Sequence, residues 1–137
     1  MEDINNELIW ILVNPEPIKA IFKKEVLDLD HINVASYAVD SINDSVTVAF
    51  DVRNFPTTPP KKWLAQKFNT VRIMLKMYDI EVINCNYNFG FKDTVRLLLD
   101  KKDGVISMSL VKEEDVLFFK IKGKWLYLDK IEAYSKE

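Results

Sequence analysis

The sequence holds one cysteine, one histidine and three glycines in 137 residues. Each shortage removes a class of chemistry. Cys85 has no partner for an internal disulfide, so nothing in the chain calls for an oxidising compartment. One imidazole and one thiol fall short of the ligand sets that hold zinc and its neighbours, and no metal or other cofactor is expected. So few glycines leave no phosphate-cradling loop and no dinucleotide fingerprint. Ser36, Ser41, Ser45, Ser107 and Ser109 lack the sharp glycine-flanked turn that exposes a nucleophilic hydroxyl. An enzyme is not expected.

An excess of positive charge is missing too. Lys and Arg total 19 against 21 acidic residues, a net charge of −2, so the basic footprint that holds phosphate backbones is absent and nucleic acid is not an expected partner. The apolar run LIWILV, Leu8 to Val13, is far short of the roughly 20 residues that span a bilayer. Acids rather than lysines precede it, unlike a secretory leader. It reads as core, and the cytoplasm is the expected location.

What is present is the composition of an ordinary soluble domain, 48% hydrophobic and 29% charged. A chain of this length buries roughly two thirds of its unfolded surface, enough for a core without staples. A single domain over residues 1–137 is therefore expected. Asn14 before Pro15 and Pro17 suits a helix entrance, with asparagine capping free amides and prolines in the first turn. Ile18, Ile21, Phe22 and Val26 follow at helical spacing, which predicts one amphipathic helix over about Pro15–Lys24.

Beyond it the period changes to two. Val46, Val48, Phe50 and Val52 alternate with Thr47, Ala49 and Asp51, and Val71, Ile73, Leu75 and Met77 alternate with Arg72, Met74 and Lys76. Both are half-buried strands. The pattern returns in Ile83–Phe89, Val95–Leu99, Ile106–Leu110 and Leu117–Ile121, with Ser36–Val39 and Trp125–Ala133 completing the set. Asp103-Gly104 and Lys122-Gly123 fall where tight hairpins need residues tolerant of positive φ. Brief turns between short strands imply antiparallel pairing, since parallel neighbours need long crossovers. The fold class is α+β, predominantly antiparallel β: a meander-like sheet or a sandwich with one N-terminal helix.

Four stretches could carry function. NFPTTPPKKW, Asn54 to Trp63, has the proline spacing that polyproline-reading domains accept. Proline also breaks sheet pairing, and Trp63 buries a large ring, so the same stretch reads as a corner with a pin in it. Asp28-Leu29-Asp30-His31 gathers two carboxylates and the only imidazole. An extended strand would put His31 opposite the two acids, and a solvated turn after the helix is the plainer reading. Asn84, Asn86 and Asn88 make a polar row on one side of a strand, solvated or serving a polar partner. Glu113-Glu114-Asp115 is an acidic run of the kind found in exposed turns.

The order of features carries a resemblance. The helix NPEPIKAIF, the link LDLDHI, the strand VTVAFDV, the corner FPTTPPKKW, the strand FNTVRIMLKM and the closing KWLYLDKIEAY together resemble the immunity protein 50 family of bacterial polymorphic toxin systems, from about Asn14 to Tyr134. Pro59, Pro60, Trp63 and Asn69 are its most specific fold markers. The resemblance implies a non-enzymatic inhibitor, held in the cytoplasm, whose partner is a cognate protein toxin domain. Many such toxins are basic, which nominates Asp28, Asp30, Glu113, Glu114 and Asp115 as toxin-binding candidates. The alternative is a small-ligand-binding β-rich module with a cavity lined by Phe89, Phe91, Phe118 and Tyr127.

Overall fold

The computed structural model describes residues 6–85, 94–112 and 116–137. Two short helices come first, α1 (Asn6–Ile11) and α2 (Glu16–Phe22), then strands β1 (Ile32–Asp40) and β2 (Ser45–Val52). A one-turn helix α3 (Lys61–Ala65) leads to β3 (Thr70–Tyr78) and β4 (Val82–Cys85). The chain closes with β5 (Thr94–Lys102), β6 (Val105–Lys112), β7 (Val116–Gly123) and β8 (Trp125–Tyr134). All eight strands join one open antiparallel sheet in the order β4-β7-β6-β5-β1-β2-β3-β8.

Two meanders make up that order. β1-β2-β3 and β5-β6-β7 each follow the chain, and β5 meets β1 only at Ile32↔Val95 and Asn33↔Thr94. The short seam lets the halves curl toward each other, so the Tyr37 ring of β1 packs tilted against Phe119 of β7, centroids 5.2 Å apart. Its hydroxyl reaches the Cys85 thiol of β4 at 2.9 Å. One hydrophobic cluster results, with Phe50, Ile73, Leu75 and Met77 from the first half and Ile106, Met108, Phe119 and Ile121 from the second. Leu8, Ile18 and Phe22 of the helices are fully buried against it. Alternation in β3, where Val71, Ile73, Leu75 and Met77 are buried and Arg72, Met74 and Lys76 are half-buried, shows the period-two rule at work.

Asp103-Gly104 is the expected hairpin, with φ of 53° and 78° at its two central residues. Lys122-Gly123 is not a hairpin. β7 runs through Gly123, and the chain then leaves its own half of the sheet, because β8 pairs with β3 over Thr70↔Tyr134 to Tyr78↔Trp125. Gly123 is needed for closeness: a Cβ there would lie 2.7 Å from Met77 Cγ and 2.8 Å from the Tyr78 carbonyl oxygen. Backbone bonds from Glu81 to Lys122 (2.7 Å) and from Lys124 to Tyr78 (3.0 Å) stitch the two halves at this crossing.

Asn14 does not cap α2. The first turn begins after Pro15 without a side-chain cap, and the Asn14 amide turns to the edge of β8 instead. It accepts from Leu128 N–H at 2.7 Å and donates to the Leu128 carbonyl at 2.9 Å. Asn69, just before β3, uses the same pairing on the β3 side, accepting from Lys136 N–H (2.8 Å) and donating to its carbonyl (2.9 Å) beyond the last residue of β8. A side-chain amide has the same donor and acceptor as a peptide unit, so Asn14 satisfies one residue's worth of open strand edge and Asn69 extends the β3–β8 pairing past Tyr134. LIWILV is core only in part: Leu8, Ile11 and Leu12 are buried, while Trp10 and Val13 are exposed.

Candidate functional site

The proline-rich corner packs onto the body of the fold. Pro56 is buried, and the Phe55 and Trp63 rings meet at 6.0 Å. The residues around it are zipped to the segment that follows α2. Thr57 donates to the Glu25 carboxylate through its N–H (3.0 Å) and hydroxyl (2.7 Å), and Lys23 Nζ donates to Thr58 Oγ1 at 2.6 Å. The Asn54 amide donates to the Val26 carbonyl (3.0 Å) and accepts from Asp28 N–H (3.2 Å). Pro59 and Pro60 lead into α3, and Pro60 precedes its first turn at φ −54°. The corner thus holds residues 25–28 in place, which sets the position of the first acidic candidate.

That candidate is a turn, as the plainer reading had it. The Asp28 carboxylate accepts the Asp30 N–H at 2.9 Å and faces His31 Nδ1 at 3.0 Å. Asp28 and Asp30 line one surface cleft of about 360 Å³, together with Glu7 of α1, Val26 and the leucines of 27–29 and 97–99. Leu97 N–H donates to the Leu29 carbonyl at 2.8 Å, which fixes this strap alongside β5. Glu7 was missed by sequence reasoning because only the tertiary fold brings α1 to the strap. Among the described residues no group of three His, Cys, Asp or Glu is arranged to hold a metal.

Asn84 is exposed on β4 opposite Lys120, whereas Asn86 and Asn88 lie outside the described residues. Glu113, Glu114 and Asp115 lie outside them as well, as do Phe89, Phe91 and the Phe118 side chain. Tyr127 does not line an interior cavity. It is exposed, makes an edge contact with Tyr78 at 5.5 Å, and lines a second surface cleft of about 440 Å³ with Trp125, Lys76, Asp79 and Asp129. Cys85 is half-buried against the Tyr37 hydroxyl.

Sequence reasoning also passed over a charge network on the face of β2, β3 and β8 away from the core. Buried Asp51 accepts from Arg72 Nε (2.8 Å) and Nη2 (3.2 Å), from the Tyr134 hydroxyl (2.5 Å) and from Lys136 Nζ (3.3 Å). The Arg72 guanidinium also lies 4.9 Å from the centre of the Tyr134 ring. Burial pushes the Asp51 carboxyl up, but the bonds from Arg72 and Tyr134 and the Arg72 charge outweigh it, holding the group below its ordinary value. Burial, with the bond to Asp51, raises the Tyr134 phenol. Each member bonds another, which is the pattern of a brace. The available signal was an Asp and an Arg on consecutive strands at positions facing away from the core.

The described residues include no helix long and apolar enough to cross a membrane. Comparison with curated proteins and with solved structures gave no match. The family models did: the one for immunity protein 50 matches residues 14–134, from the asparagine that closes the β8 edge at Leu128 to the tyrosine that anchors the Asp51 network, and the chain belongs to that family.

Proposed function

We propose that this protein is a non-enzymatic immunity protein that binds a cognate toxin domain of a bacterial polymorphic toxin system in the cytoplasm and blocks its activity. Membership of the immunity protein 50 family, over residues 14–134, is the observation that carries the reading. The chemistry of the chain agrees with it, since the one histidine sits in an exposed pair with Asp28 and the buried charges brace one another. An inhibitor of this kind works by occlusion, covering roughly 800 Å² of its partner with a few anchoring side chains.

Neutralisation is the direct test. Co-expression with the toxin domain encoded beside its gene should restore growth, and the two proteins should co-purify as a stable complex. Persistent toxicity with no complex would leave shared fold as all that the family membership conveys.

A further inference from the structure

We propose that the cleft between α1, the strap 26–30 and β5 is the docking site for the toxin, and that it receives an arginine or lysine side chain presented by an apolar segment. This rests on the immunity reading and adds to it the face and the chemistry of the contact. Glu7, Asp28 and Asp30 rim the cleft, leucines form its floor, and among the described residues no basic side chain lines it. Among the described residues neither Glu7 nor Asp30 has a cationic partner.

Three carboxylates around one apolar floor are complementary to a single kind of group. A long basic side chain lays its methylene stem along leucine while its cation meets a carboxylate of the rim. Asp28 is already oriented for this by the Asp30 N–H and the His31 ring, so little order has to be imposed on binding. The surroundings are those of a contact surface. Val26 is 65% exposed and Leu98 43%, both lining the cleft, and Trp10, one turn after Glu7 on the same face of α1, is 79% exposed. Trp is among the residues that most often anchor interfaces, and an exposed aliphatic pair beside carboxylates supplies the apolar part.

The test measures affinity for the toxin domain encoded beside the gene, by calorimetry with purified proteins. Two variants address different elements: Val26→Lys with Asp30→Lys on the strap, and Glu7→Lys on α1. Each should keep the wild-type melting temperature, and the double variant should bind at least about 100-fold more weakly, with Glu7→Lys weaker by about tenfold. Wild-type binding should itself weaken as salt rises from 50 to 500 mM, on the order of one decade or more. If both variants bind within threefold of wild type and neutralise normally, the docking site is overturned while the immunity reading stands. Loss of binding in Tyr127→Ala with the cleft variants intact would move the contact to the outer face of β8 and overturn it equally. Failure of the wild-type protein to bind or rescue overturns both.

Discussion

Replacing Asp51 by asparagine should cost this fold about 2–3 kcal/mol. The carboxylate is 6% exposed and meets two cations and a phenol, with Arg72 bound through two nitrogens. Removing one partner of a fully buried pair costs about 3–5 kcal/mol, because the other charge is stranded. Here Arg72 is 30% and Lys136 45% exposed, so water takes up part of the released charge and the loss falls below that range. At about 2.1 cal/mol/K per residue, 137 residues unfold with about 0.29 kcal/mol/K, which converts the loss to about 7–10 °C in Tm. The sign of the pH dependence follows from the depressed carboxyl of Asp51. Its contribution is complete above the ordinary carboxylate value, near 3.8, and is lost as pH falls below that through the still lower folded value. Urea melts at pH 7 and pH 3, for wild type, Asp51→Asn, Arg72→Ala and the double variant, check each part. A loss under about 0.5 kcal/mol at pH 7, or a double variant equal to the sum of the singles, would refute the brace.

Asn14→Ala opens both bonds to Leu128 and leaves that stretch of β8 edge to solvent. A loss of about 1–2 kcal/mol is expected by urea denaturation, with faster amide exchange at Leu128 as the local signature. Gly123→Ala drives a methyl into Met77 and the Tyr78 carbonyl, and the carbonyl is backbone that cannot swing aside. Destabilisation of about 1–3 kcal/mol should appear in the same assay, and an unchanged midpoint would mean that the two halves of the sheet are less tightly apposed than the distances indicate.

Where the sequence could be read, the interaction was local. The alternation in β2 and β3 located both strands to within a residue at each end, because side-chain direction in a strand depends only on the count along the chain. Asp103-Gly104 declared its turn for the same reason, since the φ angles it needs belong to those two residues. The corner at Pro59 and Pro60 was legible as a break in pairing. Its task of clamping residues 25–28 was not, because Glu25 and Thr57 are distant in the sequence.

Lys122-Gly123 was misread on that account. A glycine after a lysine looks the same whether it relaxes φ or makes room for a neighbouring strand, and only the pairing of β8 with β3 separates the two. Asn14 had the chemistry of a cap, and the fold placed the edge of β8 within its reach instead.

By itself the sequence determined that the chain is mostly antiparallel β with a small helical start, where the centres of its strands lie though not the start of β1 at Ile32, which reaction chemistries its composition disfavours, and through the order of its segments the family. The tertiary structure alone decided that β7 and β8 part company, that Asp51, Arg72, Tyr134 and Lys136 converge, and that Glu7 joins Asp28 and Asp30 around one cleft. Periodicity fixes which way a side chain points from its own strand. What it then meets depends on the path of the rest of the chain, which no local pattern encodes.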